Sequence, residues 1–337
     1  MVTHLANVRY LSGFSGTAGV VIVAASESIF FTDGRYRQQA REEVRGARIR
    51  IRPGKSALAA AAEWLGKRSY QAVGIEAAHL TVAERSLLGA ALGRGRKLVA
   101  APPILDELRM VKDSGEIPLI RSSCRLGDEL FRRLLQVLRP KVRESEVAGE
   151  IEFAARKAGA DQMAFPTIIA GGARSALPHG RASLASIPGK GFVVSDFGVI
   201  LAGYCSDMTR TVHVGRPPVA ARDLYEAVRE AQQAALEAVR PGKSVGEVDQ
   251  AARNLLQRRS LAKFFTHSTG HGLGLEIHES PRVAAGQKEQ LVPGMVITVE
   301  PGVYMPGRCG VRIEDTVLVT NSGCEILTAS PKELIAL

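Results

Sequence analysis

Two hydrophobic rhythms divide the chain. In the first hundred residues, short apolar runs alternate with amphipathic ones. GVVIVAA (19–25) and SIFFTD (28–33) are rich in β-branched and aromatic residues and read as adjacent strands. Arg35–Val44 has helical spacing, Ala47–Ile51 reads as a strand, and Ala57–Leu65 is helical. Ala72–Ile75 then reads as a strand and Val82–Leu92 as a helix. This rhythm predicts an α/β domain built on a mixed sheet. The stretch APPILDELR (101–109), with its proline pair, predicts a hinge between domains of residues 1–104 and 105–337.

The second region opens with longer periods. Glu116–Leu138 has apolar residues at helical spacing, and Pro140 stops it. Ser145–Ala158 follows, with Gly159 suited to a C-cap. A β-rich stretch spans 192–215, FVVSDFGVILAGYCSDMTRTVHVG. Two more helices, Ala220–Val239 and Val245–Arg259, precede a second β-rich stretch at 295–320, MVITVEPGVYMPGRCGVRIEDTVLVT. Helix–helix–strands therefore occurs twice. That order predicts a duplicated α+β unit with a pseudo-twofold axis and a site between its halves.

Composition narrows the class. With 337 residues, 45% hydrophobic and 23% charged, the chain is neither disordered nor fibrous, and its length suits two domains. Aromatics are only 5%, so the core is expected to be aliphatic. No apolar run approaches the roughly 18 residues that span a bilayer. MVTHLANVRYLSGF lacks the basic and apolar regions of a signal peptide. Cys124, Cys205, Cys309 and Cys324 form no CxxC and are expected as free thiols in a reducing cytoplasm. Of the net charge of +10, residues 1–104 carry +8. Their arginines interleave with Glu42, Glu43, Ile49 and Ile51, and few aromatics stand near to stack bases. A solvated basic face is expected, with no nucleic-acid or membrane partner.

Five groups break the apolar pattern where a plain core would not tolerate them. Asp196 follows FVVS, and Asp207 sits in YCSDMTRT. His271 lies in HSTGHGLGLEIHE, Glu300 follows MVITV, and Glu314 sits in VRIEDTVLVT. Buried carboxylates require cations or hydrogen-bond donors. Asp196 and Asp207 are expected to face each other across one β-hairpin, and Glu300 and Glu314 across another. Four carboxylates and an imidazole suit hard-to-borderline divalent ions. Two ions about 3.5–4 Å apart, bridged by two of the carboxylates, would balance the charge and activate a shared water. His179, His267 and His278 lie in Gly-rich or turn-like strings around this set. Neutral imidazoles there can steady an oxyanion or orient water. His4, His79 and His213 lack such company and are expected to be structural.

In these strings the chain resembles the Xaa-Pro peptidases, the proline-specific aminopeptidases and prolidases of the pita-bread fold. Methionine aminopeptidases are more distant relatives. NVRYLSGFSGTAGVVIV and TDGRYRQQA resemble the small creatinase-like N-terminal α/β domain. LRMVKDSGEI resembles the approach to the α+β pita-bread catalytic domain. ALPHG, DFGVILAGYCSDMTRT, HSTGHGLGLEIHE, VEPGVY and GVRIEDTVLVT resemble its catalytic motifs in order.

The resemblance implies that Asp196 chelates one ion, that Asp207 and Glu314 bridge both, and that His271 and Glu300 complete the second ion's shell. It makes Glu300 the general acid/base, His179 a substrate contact, and His278 the stabiliser of the tetrahedral intermediate. His267 and Arg312 match substrate-pocket or supporting groups. The ions implied are manganese first, with cobalt or zinc as alternatives, and the enzymes are commonly homodimers. The activity implied is hydrolysis of the Xaa-Pro bond of short peptides, with a lean to dipeptides over aminopeptidase substrates. The competing readings are a pita-bread binding module without catalysis and a creatinase-like hydrolase without metal. The family places a helix ahead of the NVRYLSGF string. Only seven residues precede Val8 here, so that helix is expected to be missing or shortened.

Overall fold

Val20–Val23 and Ser28–Thr32 are buried along nearly their whole length, which explains their unbroken apolar character. In the computed structural model, which describes residues 1–337, they pair antiparallel. Ser28–Thr32 also pairs in parallel with Arg48–Ile51, completing the mixed sheet that the alternating pattern predicts. A separate parallel pair joins Ala72–Ile75 to Lys97–Ala100. The latter strand carries no burial signal in the sequence, because Lys97, Val99 and Ala100 are all exposed.

Helix Ala57–Gly66 starts where the Ser56 hydroxyl accepts from the Ala59 N–H. Helix Val82–Leu92 starts at a capping box between Thr81 and Glu84. Trp64, Leu65, Leu88 and Leu92 from these helices pack with Ile22, Ile29, Phe31 and Val73 from the strands in one core. Each buried aliphatic side chain among them contributes about 1.5–3 kcal/mol. The NVRYLS string itself lies within a helix, Leu5–Ser12, which Gly13 ends at φ 79°. The stretch expected as one helix from Arg35 to Val44 divides in two. The Asp33 carboxylate accepts from the Arg35 N–H and opens a single tight turn, Gly34–Tyr36, before helix Arg37–Glu43.

The chain divides into two compact units, Met1–Arg109 and Met110–Leu337. The proline-rich stretch expected as a hinge contains a short helix, Ile104–Met110. Proline is well placed ahead of a helix, where its missing N–H costs nothing.

The second unit repeats helix–helix–strands, as its sequence order predicts. Helices Glu116–Val137 and Glu144–Lys157 precede the sheet formed by Ile168–Gly171, Gly191–Phe197 and Met208–Val214. Gly159 follows the second helix at φ 95°, the left-handed conformation that closes it. Helices Val219–Ala238 and Val245–Arg258 precede a five-stranded sheet built from Gly270–Gly272, Glu279–Val283, Val296–Val299, Asp315–Val319 and Cys324–Ile326. Two aliphatic cores result, one under each helix pair. No helix is long and apolar enough to cross a membrane.

Candidate metal centre

The acids sit at or near the ends of the strand ladders. Gly191–Phe197 and Met208–Val214 pair antiparallel, with Asp196 opposite Thr209. Asp207 lies just beyond Met208, which is opposite Phe197. The two aspartates are therefore offset by two positions, not opposite each other as the simple hairpin reading expects. The reason is at the hairpin's tip, where Val199–Leu201 and Tyr204–Cys205 form their own short ladder. In the other half Val299 is opposite Asp315, so Glu300 and Glu314 are the next pair outward.

Hydrogen bonds then join the halves. Thr211 Oγ1 donates to the Arg312 carbonyl at 2.8 Å and accepts from the Arg312 N–H at 3.1 Å. The Glu314 N–H donates to the Thr209 carbonyl at 3.1 Å. These links bring Asp207, His271 and Glu314 together, with one ligand atom of each within 4.8 Å of the others.

His271 reaches this cluster because of its neighbours. An added Cβ at Gly270 would collide with the Thr298 carbonyl, and one at Gly272 with the Ser280 carbonyl. Only glycine allows the strand to run that close. His271 Nδ1 lies 3.0 Å from the Gly272 carbonyl, so the proton belongs on Nδ1. Its Nε2 lone pair then faces Asp207 Oδ2 and Glu300 Oε1, each at 3.5 Å.

The electrostatics are those of a cation site. Burial, followed by the charges of Asp196 and Glu300, pushes the Asp207 carboxyl well above its ordinary value. Burial, followed by the charges of Asp207 and Asp196, does the same to Glu314. Burial, then Glu314, raises Glu300 to about 8. Asp196 Oδ2 accepts from Arg312 Nη2 at 2.5 Å, while its buried Oδ1 has no hydrogen-bond partner. Crowded acids, an imidazole lone pair and an orphaned carboxylate oxygen fit bound divalent ions.

Two exposed histidines and one half-buried one surround the acids. His278 packs edge-on against His271, with centroids 4.4 Å apart, and burial and then His271 lower its pKa. His179 is close enough to add its charge to both His267 and His278. His267 is different. Its Nδ1 donates to the Ser268 carbonyl at 2.7 Å, and its Nε2 accepts from the Tyr304 hydroxyl at 2.9 Å. Burial, then Arg312, lowers its pKa to about 4, so it is neutral at ordinary pH. With both nitrogens engaged, His267 supports its neighbours.

Sequence reasoning passed over several of the supporting groups. Tyr304 also accepts from Arg312 Nη1 at 2.6 Å, which links His267 to Asp196 through Arg312. Buried Asp249 accepts from Thr269 Oγ1 at 2.8 Å, and the Thr269 carbonyl accepts from the Glu300 N–H at 2.7 Å. Arg253, paired with Asp249, donates to the His267 carbonyl at 2.6 Å. Lys112 Nζ pairs with Glu279, beside His278, at 3.0 Å in near-complete burial. Tyr304, in the VEPGVY string, was the one readable signal; the others are ordinary polar residues with distant partners.

A model of metallopeptidase family M24 matches residues 118–321, the span that holds all five acid and imidazole groups. The chain belongs to metallopeptidase family M24. A model of the creatinase/prolidase N-terminal domain matches residues 1–111. As M24 family members do, the protein depends on divalent metal ions and is a peptidase of pita-bread fold. It is 44% identical over 232 residues to a Xaa-Pro dipeptidase of Pyrococcus furiosus, covering 69% of this chain and 67% of that one. The structure of a Xaa-Pro dipeptidase from Bacillus anthracis superposes with a TM-score of 0.95 at 39% identity, covering 100% of this chain and 94% of that one. The structure of an X-Pro aminopeptidase from Thermotoga maritima gives 0.92 at 33% identity, covering 99% and 94%.

Proposed function

We propose that this M24 enzyme is a dinuclear exopeptidase that hydrolyses the Xaa-Pro bond of short peptides, dipeptides first. One observation carries the reading. Asp207, His271 and Glu314 converge within 4.8 Å, beside Glu300 and an Asp196 oxygen left without a partner. In this reading Asp196 would hold one ion, Asp207 and Glu314 would be shared between two, and His271 and Glu300 would complete the set of ligands. Manganese is the proposed ion, ahead of cobalt and zinc. Divalent ions bound there supply an activated water and polarise the scissile carbonyl.

The chain's own groups do the rest. Glu300 Oε1 or Oε2 takes the proton of the attacking water and delivers it to the proline nitrogen. That nitrogen belongs to a tertiary amide and cannot leave unprotonated. His278 donates to the developing oxyanion, and His179 contacts the substrate. Arg312 holds Asp196 and Tyr304, and Tyr304 holds His267. The lean to dipeptides rests on the Xaa-Pro dipeptidases of Pyrococcus furiosus and Bacillus anthracis among the similar proteins. Residues 1–104 form the small domain in this reading, and 105–337 the catalytic one. The enzyme works as a homodimer in the cytoplasm, taking peptides and neither nucleic acid nor membrane. A non-catalytic binding module has no support, since the similar proteins named above are peptidases.

A panel of Xaa-Pro dipeptides and tripeptides, with and without manganese, tests the reading. Manganese-dependent cleavage of Ala-Pro above Ala-Pro-Xaa is expected. Equal cleavage of peptides lacking proline would overturn it.

A further inference from the structure

His179 is carried on an excursion of the chain between Gly171 and Ser183, not on a regular element. The excursion contains one tight turn, Gly172–Ala176, and then runs through Pro178 and His179. Its tip is exposed at Leu177 and His179. Buried Ser175 and Ala176 seat the turn, with Ser175 Oγ accepting from the Gly310 N–H at 2.8 Å, and the rest of the excursion relies on polar contacts.

The main contact is a single carboxylate. Glu144, in the first turn of helix Glu144–Lys157, is 1% exposed and uses both oxygens. Oε1 accepts from the Gly171 N–H at 2.9 Å, where the excursion begins. Oε2 accepts from the Ser183 N–H at 3.1 Å and the Ser183 hydroxyl at 2.7 Å, where it ends. Both oxygens also accept from Arg174 Nε, and Arg174 Nη2 spans the loop to the Arg181 carbonyl at 2.9 Å. One buried anion therefore clips both ends of the loop and anchors the cation that crosses it. Beyond the clip, the Pro178 carbonyl accepts from Arg312 Nη1 at 2.9 Å, which ties His179's neighbour to the guanidinium beside Asp196.

We infer that Glu144 is a positioning residue: through Arg174 and Ser183 it sets the loop that presents His179 to the substrate. The inference rests on the proposed reading of the site as a Xaa-Pro peptidase. Glu144 touches neither the acids nor the substrate. It governs how well the substrate is gripped, while the metal shell stands on other strands. Losing the clip moves His179 without disturbing Asp207 or Glu314. Small misplacements of a positioning group cost about ten- to a hundredfold.

The test uses the full chain in four forms: wild type, Glu144→Gln, His179→Ala and the double variant. Each is assayed on Ala-Pro with manganese, for metal content, and for trypsin cleavage after Arg174 and Arg181. Glu144→Gln is expected to raise KM about tenfold, with kcat changed less and metal content unchanged. It is expected to speed cleavage within the loop. In the His179→Ala background, Glu144→Gln is expected to add less than about twofold, because the two act through one contact. Additive losses, or a Glu144→Gln loop as resistant as wild type, would overturn the inference. If Glu144→Gln fails to fold, Arg174→Gln takes its place, with the same kinetic and metal expectations and with cleavage read after Arg181 alone. A wild-type enzyme that ignores Ala-Pro would instead defeat the reading of the site, and the trypsin arm would still decide the clip.

Discussion

Thr209 and Glu314 come from opposite halves of the catalytic unit, 105 residues apart, and are joined twice. Thr209 Oγ1 donates to Glu314 Oε2 at 2.7 Å, and the Glu314 N–H returns to the Thr209 carbonyl at 3.1 Å. The same hydroxyl accepts from Arg312 Nε at 2.9 Å. A threonine thus orients one carboxylate and steadies the guanidinium that orients another, Asp196. Thr209→Val keeps the shape and removes both hydroxyl bonds, to Glu314 and to Arg312, while the backbone bond stays. It is expected to weaken manganese binding about tenfold while leaving the fold intact. Calorimetric titration of manganese into the chelator-treated protein measures this. Unchanged affinity would mean that the backbone bond alone aims Glu314.

Glu300 and Asp207 separate two kinds of loss. Glu300→Gln keeps the side chain's volume but cannot carry a proton. It is expected to lower kcat on Ala-Pro about 10³-fold with most of the metal retained. Asp207→Ala removes a donor from the centre of the cluster, so activity and bound metal are expected to fall together. Turnover and elemental analysis on the same preparations distinguish the two, and circular dichroism checks the fold. Activity within a few-fold of wild type in either variant would refute the assigned roles.

The pH response of the metal-free protein follows from the crowded acids. Glu300 rises from an ordinary 4.5 to about 8, and Asp207 and Glu314 shift in the same direction. The native state therefore keeps protons that the unfolded chain has already released. Stability is full below the unfolded value near 4.5 and is lost as pH climbs through about 8. Chelator-treated protein is expected to melt at a lower temperature at pH 8 than at pH 5.5. Divalent ions replace those protons, so manganese is expected to raise the melting temperature more at the higher pH. Equal gains at both pH values would contradict this.

Asp315, next to Glu314, makes a stability prediction. It is fully buried and accepts from Arg210, Gln232, Thr328 and Lys332. Arg210 is 1% exposed and also donates to the Ser330 carbonyl at 2.8 Å. Asp315→Ala leaves that guanidinium buried without its counter-charge. A loss of about 3–5 kcal/mol is expected in urea denaturation. Arg210→Met combined with Asp315→Leu is expected to recover part of it, because the unpaired charge goes as well.

Much of this architecture was readable because its signals are local. Ala72–Ile75 and Val82–Leu92 have the bounds their patterns predict, since an apolar run and a capping threonine define each one. The five acid and imidazole groups stood out because each follows an apolar strand or sits among glycines. The register of Asp196 against Asp207 was not readable, because the hairpin between them carries a second ladder at its tip. Lys97–Ala100 was missed for lack of buried side chains, and Glu144 and Asp249 because their roles depend on partners far along the chain. A short-range pattern carries no trace of a bond made 20 or more residues away.

The split origin of the oxygen donors has a biosynthetic consequence. Asp196 and Asp207 leave the ribosome about a hundred residues before Glu300 and Glu314, and the Thr209–Glu314 link cannot exist until the last strands are made. A nascent chain holding only the earlier half presents two aspartates and no imidazole partner from the later one. With the proposed ligands divided in this way, tight ion capture would wait for the finished polypeptide, and loading would be a post-translational event open to competition from other cations.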